Sequence, residues 1–229
     1  MDNGHTKDQR KDDRDDRKCC ANSADDADDR QAFAALSDFV DPTEPDDTEY
    51  QSRDQYKKRQ NKADHVWVSD TTCFKLNNLY YYICVIIDLY SRRVVAHSIS
   101  PKHSTQLITR AFKSAFKIRQ PGDGLIFHSD RGSQYTSYAF GKLLKACKAE
   151  HSFSPTGKPC HNAVMESFFS SMKKEKLYRT NYHSVNELMK HVGKYIEFYN
   201  MERPHAGLDY KTPNTYERLF YEHNFQKAN

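Results

Sequence analysis

Apolar residues are spread very unevenly along this chain. Residues 1–30 contain no aromatic and no branched aliphatic side chain, and runs such as Asp12-Asp13-Arg14-Asp15-Asp16-Arg17 cannot bury enough surface to offset ordering entropy. A short apolar patch at Phe33, Leu36, Phe39 and Val40 is cut off by Pro42 and Pro45. Residues 1–60 therefore read as a disordered acidic tail, with the fold starting near Asn61. From there the pattern turns strand-like: residues 65–69, then 79–89, dense in Tyr, Ile and Val, then 93–99. The polar corner Tyr90-Ser91-Arg92 is short enough to make the second and third strands a hairpin, which predicts an antiparallel three-strand meander.

Residues 104–119 place Leu107, Ile108, Ala111, Phe112, Ala115 and Phe116 at intervals of three and four, an amphipathic helix closed by Pro121-Gly122. A brief apolar strand over 125–128 runs into Ser129-Asp130-Arg131-Gly132, so Asp130 sits at a strand's C-terminal end. A helix over 137–148, a short strand over 151–154, a Pro- and Gly-containing loop over 155–159 and a helix over 162–178 follow. The last fifty residues read as mainly helical. The order βββαβαβα predicts an α/β fold, a mixed five-stranded sheet flanked by helices. Three regions result: the tail 1–60, a core over 61–180, and a helical C-terminal extension of that core over 181–229.

Charge sharpens this division. The net charge of +4 combines 11 Lys/Arg against 17 Asp/Glu in residues 1–60 with 24 against 14 in residues 61–229. Basic excess in the folded part suits a polyanionic partner, because neutralised phosphates release counterions, although a solvated basic face gives the same count. The six cysteines form no CxxC pair and read as reduced thiols. With no run of about 18 apolar residues and no signal-peptide pattern, the chain is expected to be cytoplasmic, without a membrane contact.

Three acids have the right type and placement for phosphodiester chemistry. That chemistry uses a pair of divalent ions about 3.5–4 Å apart, and magnesium demands oxygen ligands. Asp70 lies in or just after the first strand, Asp130 ends the fourth, and Glu166 stands one turn into a helix. At 100° per residue, Asn162, Glu166 and Lys173 form one polar stripe on that helix, while Met165, Phe168, Phe169 and Met172 form the stripe that anchors it. Taken singly, each acid could equally cap a turn or face solvent.

The local text decides between these readings. His128-Ser129-Asp130-Arg131-Gly132-Ser133-Gln134-Tyr135 and Asn162-Ala163-Val164-Met165-Glu166-Ser167-Phe168-Phe169 closely resemble the catalytic signature of bacterial insertion-sequence transposases of the D,D-35-E type. These are relatives of retroviral integrases with a ribonuclease H-like fold. Thirty-five residues separate Asp130 from Glu166, the spacing that names the group. Trp67-x-x-Asp70, the stretch Ile87-Asp88-Leu89-Tyr90-Ser91-Arg92-Arg93, Tyr199-Asn200, Arg203-Pro204-His205 and Tyr210-Lys211-Thr212-Pro213 extend the similarity over roughly residues 64–217.

The resemblance implies that Asp70, Asp130 and Glu166 bind Mg2+, two ions with Mn2+ as a substitute. It also implies that the basic residue seven positions after the glutamate, Lys173, contacts DNA. Asn162, Arg131 and Lys158 are further DNA-contact candidates, and Tyr135 is a candidate for stacking on an unpaired base. The implied partners are double-stranded DNA, further copies of the chain on that DNA, and a separate helix-turn-helix subunit. The implied activity is metal-dependent DNA cleavage and strand transfer. Two alternatives compete with it: a catalytically decayed DNA-binding remnant and a ribonuclease H. The latter uses an additional glutamate on its first helix, and residues 89–122 contain no Asp or Glu. Asp88 reads as a structural salt-bridge residue and His128 as a hydrogen-bonded positioning residue.

Overall fold

In the computed structural model, residues 61–154 and 163–228 are described. The tail expected over 1–60, and the roles expected of Lys158 and Asn162, lie outside the described residues. Strand β1 (Val66–Leu76) turns back into β2 (Leu79–Asp88) and β3 (Val94–Ser100). Helix α1 (Thr105–Arg119) then crosses to β4 (Ile126–Ser129), α2 (Tyr138–Ala146) to β5 (Glu150–Phe153), and α3 (Ala163–Glu175), α4 (Val185–Met201) and α5 (Pro213–Ala228) follow.

The five strands form one sheet in the order β3-β2-β1-β4-β5. β1 pairs antiparallel with β2 and parallel with β4, and β5 adds parallel to β4. The expected mixed α/β sheet and meander are present, with a longer first strand. β1 runs on through Thr71, Thr72, Cys73 and Phe74, β-branched or otherwise strand-compatible side chains that continue the ladder, so Asp70 lies inside the strand opposite Val85. The turn that ends it is Asn77-Asn78, both at positive φ (49° and 63°), as the twist of a two-residue hairpin requires. α3 stops at Glu175, short of the expected end, and a 3-10 turn over Leu177–Arg179 follows.

Alternation along β1 and β2 divides the core into two layers. Trp67, Cys84 and Ile86 face α1 and α2, where Phe112, Phe127 and Phe140 meet edge to face. Val66, Val68, Val85 and Ile87 face α3 and α4, burying Met165, Phe168, Met172, Leu188, Val192 and Tyr199. The C-terminal extension is thus part of the fold's packing, since α4 covers the sheet face on which α3 also rests. Helix α5 carries few buried residues. It is docked by Glu217, which is 3% exposed and receives Arg119, Arg93 and the Ser91 hydroxyl.

Candidate active site

Val68 lies opposite His128 across the parallel pair β1 and β4. Two residues further along each chain, Asp70 and Asp130 therefore leave that pair at one level. Strand alternation puts Asp70 on the face of Val66 and Val68, and Asp130 continues the alternation of Ile126 and His128. This is the face covered by α3, whose Met165 and Phe168 pack into the same cluster and whose first turn carries Glu166. Chain topology sets the middle of one strand, the end of its neighbour and a helix on one layer of the core, across up to 96 positions in sequence.

Asp70 is half-buried and its Oδ1 accepts the Thr71 N–H at 2.7 Å. Asp130 is exposed, and its Oδ1 accepts the Gly132 N–H at 3.0 Å, which folds the carboxylate back over the tight turn. Glu166 is exposed, and the shielding it receives from neighbouring atoms pushes its carboxyl above the ordinary value. A cation beside it would remove that penalty. The donor chemistry suits a hard divalent ion, since all three groups offer carboxylate oxygen. Among the described residues, however, no three His, Cys, Asp or Glu side chains are gathered closely enough to hold a metal, so the acids do not form a closed ligand set as they lie.

On the opposite face, each aspartate follows a fully buried serine. The Ser69 hydroxyl donates to the Val85 carbonyl at 3.0 Å and lies 2.9 Å from the Tyr135 hydroxyl. The Ser129 hydroxyl lies 3.0 Å from His151 Nε2. Burial lowers the His151 imidazole to about 4, so the ring is neutral near pH 7. These anchors were not anticipated from sequence. Their one signal was alternation, which turns the residue next to a strand acid toward the other layer.

The remaining candidates separate clearly. Arg131 is exposed and stands 5.8 Å from the Phe153 ring centroid. Lys173 is half-buried on α3, seven residues and so about 10 Å beyond Glu166 along the helix axis. Tyr135 corrects the expectation of a base-stacking ring: it is 3% exposed and packs against Phe127 and Phe140, so no face is open to a nucleobase. His128 is hydrogen-bonded as expected, with Nδ1 and Nε2 3.1 and 3.0 Å from the Ser152 and Ser154 hydroxyls.

Asp88 is structural, but through hydrogen bonds rather than the expected salt bridge. It receives the Asp64 and Ser91 N–H groups and the Ser91 hydroxyl. A residue that sequence reasoning missed, His103, stacks on Tyr82 with ring centroids 4.8 Å apart and lies 3.4 Å from Gln134 Nε2. Burial lowers its imidazole below the ordinary value while the Asp130 charge opposes, which marks it as a neighbour of that acid.

An integrase core domain family matches residues 60–159, and a second integrase core domain family matches residues 148–213. The transposase for insertion sequence element IS904 of Lactococcus lactis is 38% identical over 154 residues, 67% of this chain and 61% of that protein. A transposase-like protein of Haemophilus influenzae is 32% identical, over 66% of this chain and 69% of its own length. The chain spans about three-fifths of the length of the first of these relatives. Among solved structures, the HTLV-2 integrase catalytic core domain in complex with magnesium aligns with a TM-score of 0.54 at 20% identity, covering 68% of this chain and 97% of that one. At that identity the likeness speaks for the fold, the ribonuclease H-like sheet with its flanking helices. Read with the strand order and the level shared by Asp70 and Asp130, the sequence matches show that this chain belongs to the insertion-sequence transposases with an integrase catalytic core.

Proposed function

We propose that the chain carries the DNA cleavage and strand-transfer activity of a transposase, with Asp70, Asp130 and Glu166 as the residues that hold its divalent metal. The observation that carries this reading is the common level of Asp70 and Asp130 on adjacent parallel strands, beneath the helix that bears Glu166. Magnesium, when bound, activates the attacking oxygen and stabilises the leaving one in an in-line displacement. The chain's own residues supply the frame for that reaction. β1 holds Asp70, β4 leads directly into Asp130, and the aromatic and Met stripe of α3 seats the helix that bears Glu166 on the same layer of the core.

Arg131, beside Asp130, and Lys173, further along α3, are the proposed partners of backbone phosphates near the scissile bond. Lys158 and Asn162 belong to the same proposed contact set by their position in the sequence. Duplex DNA is the proposed substrate, both element ends and target. Further copies of the chain on that DNA, and a separate helix-turn-helix subunit that reads the ends, are proposed partners. Among the described residues no helix is long and apolar enough to cross a membrane, and a cytoplasmic, DNA-associated location accords with the proposed substrate.

The test is metal-dependent nicking and joining of labelled element-end duplex by the full chain. Asp130→Asn and Glu166→Gln should fold as the parent does and lose nearly all strand transfer, with Mn2+ replacing Mg2+ and Ca2+ supporting binding better than chemistry. Wild-type rates in either variant, or turnover in excess chelator, would refute the assignment.

A further inference from the structure

The loop from Asp130 to Ser137 joins β4 to α2 and bears one of the two proposed aspartate ligands. Its N-terminal half is a tight turn in which Tyr135 and Thr136 donate to the Gly132 carbonyl at 2.9 and 3.0 Å. Its C-terminal half is tied to α2, where the Ser137 hydroxyl donates to the Gln134 carbonyl at 2.9 Å. Tyr135 connects this loop to another strand. Its hydroxyl lies 2.9 Å from Ser69 Oγ, and because Ser69 donates to the Val85 carbonyl, the phenol is the donor in that contact.

Ser69 precedes Asp70, so a single hydrogen bond joins the loop of one acid to the strand residue beside the other. The Thr71 hydroxyl is enclosed and faces the same phenol from the other side of Asp70. Phe127 and Phe140 hold the ring, with centroids 6.3 and 6.1 Å away. A bond this deeply enclosed has no water to replace it when it breaks.

We infer that Tyr135 is a positioning residue for the metal-dependent reaction: its hydroxyl fastens the Asp130 loop to β1 at Ser69 and so keeps Asp70 and Asp130 at one level. The inference rests on the proposed function in taking those two acids as metal ligands. It assigns the tyrosine a role on the face of the sheet away from the metal, with no contact to DNA. Carboxylates that must share a cation lose affinity for it when either one drifts, because the loop then spends part of its time in arrangements that bind the ion poorly.

The experiment uses the full chain and Tyr135→Phe, which keeps the ring and its packing and removes only the hydroxyl. Mn2+ affinity is read by electron paramagnetic resonance of the free ion, alongside Mg2+-dependent nicking of labelled element-end duplex. The expected result is an Mn2+ dissociation constant and a half-saturating Mg2+ concentration both raised about threefold to tenfold, the effect of one buried neutral hydrogen bond. Nicking should return to the parent rate at high Mg2+, and duplex affinity in Ca2+ should be unchanged. Ser69→Ala, which also loses the bond to the Val85 carbonyl, should give at least the same shift, and the double variant no more than Ser69→Ala alone, since the Tyr135 bond is common to both.

Unaltered metal affinity in Tyr135→Phe with an active parent would overturn the inference while leaving the proposed function standing. So would a loss of rate that high Mg2+ does not restore. If Tyr135→Phe does not fold, the same criteria apply to Ser69→Ala. A parent chain that neither binds Mn2+ nor nicks DNA would instead refute the proposed function, and this inference with it.

Discussion

Arg119 closes on both carboxylate oxygens of Glu217, Nη1 at 2.7 Å and Nη2 at 2.9 Å, and so joins the end of α1 to the middle of α5. Both side chains are nearly buried, at 10% and 4% exposure. Arg119 also reaches Asp64 at 2.7 Å, and Ser91 links Glu217 to Asp88. Burial would raise the Glu217 carboxyl, yet Arg119 outweighs it and holds the group below the ordinary carboxylate range.

Removing Glu217 takes away the bidentate partner of Arg119 and leaves that buried charge with Asp64 alone. Glu217→Ala should therefore destabilise the fold by about 3–5 kcal/mol, far more than loss of an exposed ion pair such as Lys148 with Asp123. Replacing both Arg119 and Glu217 with apolar residues should cost less than the two single changes together. Denaturant titration of the two singles and the double reads this directly.

Asp88 makes stability depend on pH in an identifiable window. Burial, opposed by hydrogen bonds from Ser91 and Asp64, pushes its carboxyl from 3.8 up to about 6. Between those values the native state holds a proton that the unfolded chain has lost. The resulting stability is complete below about pH 3.8 and is lost as pH rises through about 6, in total on the order of 3 kcal/mol. Subtracting the stability of Asp88→Asn from that of the parent should give a difference that falls from pH 4 to pH 6 and is flat above pH 7. A difference that rises with pH would contradict this account.

Gly132 leaves room for the Asp130 carboxylate. A Cβ added there would stand 3.0 Å from Oδ1 and 3.6 Å from Oδ2 of Asp130. The side chain can rotate away, so Gly132→Ala should be nearly neutral for folding. Rotation moves a proposed metal ligand, and strand transfer should fall about tenfold to a hundredfold. Thermal melting and single-turnover joining, measured on one preparation, separate the two effects.

Lys173→Ala tests the proposed phosphate contact on α3. A lysine paired with one phosphate contributes about one unit to the slope of log affinity against log salt. The variant should bind element-end duplex more weakly at low salt with that slope reduced. An unchanged slope together with unchanged joining would leave Lys173 as a solvated surface residue.

Much of this protein is written in local sequence. Runs of strand-forming residues and periods of three to four residues placed the three-strand meander, α1 and α3, because burial on one face imposes its own spacing on the chain, while the helices after residue 181 read only as a helical region. The stripe of Met165, Phe168, Phe169 and Met172 proved to be the buried face of α3. The candidate acids Asp70, Asp130 and Glu166 stand out in sequence through the strings around them and the 35 residues between the last two. What tertiary structure alone decided concerns partners distant in sequence. Parallel pairing of β1 with β4 has no local signal, yet it brings Asp70 and Asp130 to one level. Tyr135 has the same composition-based reading whether it stacks on DNA or enters the core, and only the packing of Phe127 and Phe140 around it settled the question. Glu217 looks like any charged residue on a helix, and its burial follows from two arginines at sequence distances of 98 and 124. Periodicity reports which face of an element is buried, whereas register and buried charge pairing depend on the summed fit of the whole sheet and its helices, which no short stretch of sequence contains.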